Sequence, residues 1–200
     1  MNDEARLRWE WRAFAPELPV INVDLPPGFE ATDETYLVSP ESQTRAVITG
    51  NRIAADLLER DRDGVQLWRR TVDAAFPLCQ RDVRETLRQF PVGIPTLYRP
   101  EYTPFEFVTD VATCTSGLRV VGVRGVRRQV AADDCLLERS TLSMAGRTLQ
   151  TIAVEGDDPD AVARLVHRLR LFVDGGRNIV DVIKELLGVE RPRPGFAHAF

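Results

Sequence analysis

The stretch RLRWEWRA, residues 6 to 13, alternates without a break. Arg6, Arg8, Glu10 and Arg12 take one parity; Leu7, Trp9, Trp11 and Ala13 take the other. A side-chain period of two predicts a β-strand with one charged and one apolar face. If the charged face meets water, the pattern means only a solvated strand with cross-strand ion pairs. If that face lines a cavity, arginines around a glutamate describe a site for an anion and, through the carboxylate, for a metal ion.

Composition limits the setting. A chain of 200 residues with 44% apolar content suits one domain with a sizeable core. A net charge of −4 does not favour nucleic acid as a partner. Lys184 is the only lysine, so the cationic side chains are almost all arginine. Arginine suits bidentate grip of phosphate, although a GC-rich codon bias gives the same usage. Cys79, Cys114 and Cys135 are widely spaced and form no zinc motif; they read as reduced core residues. The N-terminus lacks the apolar run of a signal peptide, and no stretch reaches the roughly 18 to 20 apolar residues of a membrane span. These features predict a cytoplasmic protein that does not enter a membrane. Residues 1–190 read as a single domain, and 191–200, with prolines and a glycine close together, as a flexible tail.

Along the chain, residues 16–32 are proline-rich and read as a loop, and 34–39 as a short strand. Residues 44–72 hold two or three strands, with Gly50-Asn51 and Asp63-Gly64 at the turns. Val83, Leu87 and Phe90 sit at helical spacing in 80–90. The prolines of 91–104 predict no regular element there, and 106–112 reads as a short strand or a helical turn. Two strands flank Asp133-Asp134, and a further strand covers 147–156. Asp157 or Asp158 can cap a helix that starts at Pro159, with Val162, Leu165, Val166 and Leu169 on one stripe. A last helix runs from the Asn178 cap to Gly188. Seven or eight mostly antiparallel strands with three helices give an α+β fold. Closing the sheet into a barrel would remove its edges and give the charged faces an interior.

This layout resembles the CYTH superfamily, the triphosphate tunnel metalloenzymes. Its signature strand reads E-x-E-x-K and points acidic and basic side chains into an eight-stranded antiparallel tunnel. Arg8-Trp9-Glu10-Trp11-Arg12 is the comparable stretch, with Arg8 where the first glutamate is expected. Residues 126–142 resemble the family's basic strand, a turn, and a strand that carries a glutamate, here Glu138. Residues 147–162 resemble its acidic strand entering a helix, with Glu155 at the second acidic position and Ala153 at its partner. Lys184 stands where members carry a lysine. Residues 45–56, where the family's strands present inward cations, show Val47, Thr49 and Asp56 near those places.

The resemblance implies an α+β, eight-stranded antiparallel tunnel barrel with flanking helices. It implies metal-dependent hydrolysis of a triphosphate or polyphosphate-type anion with Mg²⁺ or Mn²⁺ as cofactor. Glu10, Glu138 and Glu155 would hold the metal, and Glu10 and Arg12 would be catalytic. Arg8, Arg69, Arg124, Arg127, Arg128 and Lys184 would bind the phosphates. Arg127 and Arg128 differ in parity, so a strand without a bulge can turn only one of them inward. The alternative is a member that has lost catalysis and serves as a polyanion-binding or protein-interaction module, with a second copy of the chain or another protein as partner. The altered acidic positions favour this alternative; Glu10, Arg12, Glu138, Glu155 and Lys184 together keep hydrolysis in play.

Overall fold

The computed structural model describes residues 7–21, 23–171 and 176–189. Its main feature is a closed barrel of eight strands: β1 (Leu7–Ala15), β2 (Glu30–Val38), β3 (Arg45–Thr49), β4 (Arg52–Arg62), β5 (Val65–Ala75), β8 (Arg119–Ala132), β9 (Cys135–Met144) and β10 (Arg147–Gly156). A separate two-stranded ribbon joins β6 (Leu78–Cys79) to β7 (Glu101–Tyr102). The helices are α1 (Gln80–Arg88), α2 (Pro104–Glu106), α3 (Pro159–Arg168) and α4 (Ile179–Leu187), and a π-helical turn, Phe107–Ala112, continues α2. Around the barrel the order is β1-β10-β9-β8-β2-β3-β4-β5, and β5 pairs again with β1. Every pairing is antiparallel.

Tight turns set the register. Asp63-Gly64 joins β4 to β5 and Asp133-Asp134 joins β8 to β9, each with positive φ at both residues, the two-residue geometry that suits twisted hairpins. A bulge between Ala55 and Asp56 leaves Thr71 unpaired, because Ala55 faces Val72 while Asp56 faces Arg70. The bulge lets Arg70 and Asp73, of opposite parity, line the same interior. The prolines of 91–104 leave only the two residues of β7 in a strand, one more short element than those prolines predict. Residues 106–112 are helical, and β2 begins four residues earlier than residues 34–39 suggest.

The apolar parity of β1 faces outward. Trp11, Ala13, Ile152, Val154 and Leu137 pack beneath Val162 and Leu165 of α3. A second outer core places Leu37, Ile48, Ile53 and Val72 against Val83 and Leu87 of α1 and against Phe107. The third lies inside: Ile179, Val180, Val182 and Ile183 of α4 meet Phe14, Tyr36, Val38, Val121, Val123 and Met144, so α4 stops one end of the barrel. The Asn178 side chain caps α4 by accepting from Asp181 N, and Gly188 ends it in the left-handed region. Lys184 Nζ donates to the Ser42 carbonyl at 2.6 Å, which fixes α4 to the β2–β3 loop. Of the three cysteines only Cys135 is buried; Cys79 is half-buried and Cys114 exposed, so the reading of all three as core residues holds for one. The proposed tail, 191–200, lies outside the described residues.

Candidate functional site

The charged parity of β1 faces the barrel interior, where a cavity of about 490 Å³ opens. Six carboxylates line it, from Glu10, Glu34, Asp56, Asp73, Glu138 and Glu155, together with five arginines, Arg12, Arg45, Arg52, Arg70 and Arg127. A smaller pocket of about 200 Å³ shares part of this lining and adds Arg8 and Trp68. The charges are therefore close to balanced, and they are arranged as a linked set.

Arg12 is the hub of the deep part. Its Nε lies 2.9 Å from Glu10 Oε1, its Nη1 3.4 Å from Glu138 Oε1, and its Nη2 3.8 Å from Glu155 Oε1. Arg45 approaches from the opposite wall, 3.4 Å from Glu10 Oε2 and 3.2 Å from Asp56 Oδ2. Arg70 reaches the other oxygen of Asp56, and Arg8 lies 3.3 Å from Glu155. Gln129 and Ser140 donate to Glu138 at 2.8 and 3.0 Å. Each deep carboxylate thus has a cation or hydrogen-bond donor, as buried charge requires.

The same neighbours set the proton affinities. Burial alone would raise the Glu10 carboxyl, but Arg12 and Arg45 outweigh it and hold its pKa at about 2. Burial likewise opposes ionisation of Glu138, and Arg12, Gln129 and Ser140 bring it below the usual range. Glu155 goes the other way: burial and the charge of Glu10 raise it despite Arg12, Arg45 and Arg8. Burial, together with the Glu34 carboxylate to which the hydroxyl donates at 3.0 Å, also keeps the Tyr36 phenol neutral.

At the end opposite α4 the ion pairs are looser. Arg52, the first residue of β4, pairs with Asp73 at 2.5 Å, and the two side chains are 59% and 48% exposed. Arg127 pairs with Glu30, the first residue of β2, at 2.8 Å, with Glu30 60% exposed. Thr32, Thr49 and Gln129 complete this mouth.

Of the residues expected from the sequence, the structure brings Glu10, Arg12, Glu138, Glu155 and Arg127 around the one cavity and puts Arg8 in the adjoining pocket. Four expected phosphate ligands lie elsewhere. Arg69 has the outward parity of β5 and pairs with Glu59. Arg124 pairs with Asp33 on the surface, both more than 70% exposed. Arg128 lies 3.7 Å over the Phe29 ring on the outer face. Lys184 is buried in α4 with its ammonium on a loop carbonyl. In their place Arg45, Arg52 and Arg70 supply the cations. Arg45 shares parity with Val47 and Thr49, so a period of two carried back two residues would have found it.

A metal ion needs carboxylate oxygens that converge on open space. Here Glu10, Glu138 and Glu155 converge on the guanidinium of Arg12, and no three acidic, histidine or cysteine side chains among the described residues are grouped to hold an ion. The donor set as placed does not fit a metal.

No protein-family model matches the chain, and no curated protein sequence matches it. Among solved structures it is similar to the putative adenylate cyclase of Bacillus halodurans, at 12% identity and a TM-score of 0.44, over 77% of this chain and 82% of that one. A likeness of that size assigns no activity.

Proposed function

We propose that the protein is a divergent member of the triphosphate tunnel metalloenzyme superfamily whose barrel binds a small polyanion of the triphosphate or polyphosphate type. The observation that carries this reading is the state of the mouth arginines. Arg52 and Arg127 come from separate strands, face one cavity, and hold partners, Asp73 and Glu30, that are 48% and 60% exposed. An exposed ion pair contributes only about 0–1 kcal/mol, so exchanging either carboxylate for a phosphate oxygen costs little. Arginine can then take two phosphate oxygens at once. Arg70, shared between Asp56 and Asp73, stands between the mouth and the deep set and extends the row of donors inward. The cavity is within the size range of small-molecule sites.

Calorimetry and thermal shift with inorganic tripolyphosphate test this. Stabilisation that rises with ligand and fades with added salt is the expected result. No stabilisation at millimolar ligand overturns the reading.

A second reading is hydrolysis, and Glu155 favours it. A carboxyl that burial and a neighbouring carboxylate keep protonated more readily than usual can give its proton to a leaving oxygen. Phosphate release from inorganic triphosphate, ATP and thiamine triphosphate, measured with Mg²⁺, with Mn²⁺ and with chelator, checks it. No release above a Glu155→Gln control sinks hydrolysis and leaves binding.

A further inference from the structure

We propose that Arg12 is the resident cation of the three-glutamate site, so that the cavity works without a divalent metal ion. The geometry carries this. Each of the three guanidinium nitrogens faces a different carboxylate, Nε to Glu10, Nη1 to Glu138 and Nη2 to Glu155. The side chain is only 10% exposed, and Nη1 also reaches Thr151 Oγ1 at 3.4 Å. Arginine is the one side chain with five donors in a planar fork and no usable deprotonated form. Placed at the centre of three carboxylates, it takes the position a divalent ion would have there: its fork fixes their spacing and its charge offsets part of theirs, with Arg45 and Arg8 offsetting more.

Metal entry would have to eject Arg12. The outer wall of its pocket is held by Arg45, which already satisfies the second oxygen of Glu10. An ejected guanidinium would exchange three carboxylate partners for water or for the anion. A hard cation that dehydrates reluctantly gains little from sites it must first vacate. The deep set is therefore a charged wall, and the exchangeable cations are those of the mouth.

This inference concerns the carboxylates and stands apart from the anion reading, so its test needs no anion. Mn²⁺ is titrated into the full-length protein, and bound ion is read from loss of the free Mn²⁺ electron paramagnetic resonance signal. The wild type is expected to leave the signal unchanged at millimolar Mn²⁺. Binding by the wild type that Glu138→Gln abolishes overturns the proposal. Arg12→Gln frees the three carboxylates and is expected to gain at least about tenfold in Mn²⁺ affinity, since affinity follows the charge of the ligand set. A folded Arg12→Gln protein with no gain also overturns it. Should that variant fail to fold, the wild-type titration decides alone. Failure of the anion reading shows separately, as absence of tripolyphosphate stabilisation both with and without Mn²⁺.

Discussion

The guanidinium of Arg45 lies 4.3 Å from the centre of the Trp68 ring. Its nitrogens reach Glu10 on one side and Asp56 on the other, so a single side chain is stacked, paired and bridging at once. The stack helps to hold a cation from β3 against Glu10 of β1, although β4 and β5 lie between the two strands. Trp68 is almost fully buried, and its indole N–H has no partner among the described residues. Its contribution is therefore ring area and its face toward Arg45.

From that follows a separation of two effects. Trp68→Phe removes part of the ring but no hydrogen bond, and should cost about 1–2 kcal/mol through lost packing and a weaker cation–π contact. Trp68→Ala should cost about 3–5 kcal/mol, the range for deleting a large buried aromatic. Urea unfolding of both variants checks this. Equal losses would mean that a phenyl ring at this position restores neither packing nor the contact with Arg45.

The Glu10 and Glu155 carboxyls should give opposite pH dependences. Glu10 has a folded pKa of about 2 against an ordinary 4.5, so its contribution is complete above pH 4.5 and is lost as pH falls toward 2. At 1.36 kcal/mol per pH unit this is at most about 3 kcal/mol. The raised pKa of Glu155 reverses the sign: its favourable contribution is present below its ordinary pKa and disappears as pH rises through the folded value. Unfolding measured from pH 2 to 8 should show Glu10→Gln with a flattened acid limb. Glu155→Gln should lose the decline above pH 4.5. A Glu10→Gln profile with the full wild-type acid limb would refute the assignment.

Much of the barrel could be read from period and turn chemistry. The two-faced β1, the Asp63-Gly64 and Asp133-Asp134 turns, and the capped α3 and α4 are all local signals, and the structure has each of them. The site was harder because its geometry is not local. Arg69-Arg70 and Arg127-Arg128 are doublets that put one guanidinium on each face of a strand. Only pairing with the next strand decides which faces in: Arg70 does so by its place opposite Asp56, and Arg127 by its place opposite Ser140. Arg45 meets Glu10 only once the barrel has closed, since the two strands are not neighbours. Helical Lys184 faces no strand parity rule and is taken up by fixing α4.

Two glycines of β8 should answer differently to a methyl group. A Cβ at Gly125 would stand 2.3 Å from the Thr141 carbonyl oxygen and 2.8 Å from Leu142 Cδ2, while one at Gly122 meets nothing within 4 Å. The carbonyl belongs to the β9 backbone and cannot rotate away. Gly125→Ala should therefore cost about 1–3 kcal/mol by overpacking, whereas Gly122→Ala should be neutral or slightly stabilising. Thermal or urea unfolding of the pair decides, and a neutral Gly125→Ala would show that the β8–β9 pairing gives way locally.

The mouth arginines carry the sharpest functional prediction. Arg52→Ala and Arg127→Ala each remove a guanidinium whose present partner is solvated, so stability should change by no more than about 1 kcal/mol. Each also removes a charge-assisted, bidentate donor to the anion, worth about 1.5–3 kcal/mol, or at least tenfold in tripolyphosphate affinity. Arg69→Ala and Arg124→Ala remove equal charge from the outer face, where the partners are Glu59 and Asp33, and should leave the affinity within twofold at moderate salt. Calorimetric titration of the four variants at two salt concentrations separates site from bulk charge. Equal weakening in all four would assign the anion to the general field of the surface and remove it from the barrel.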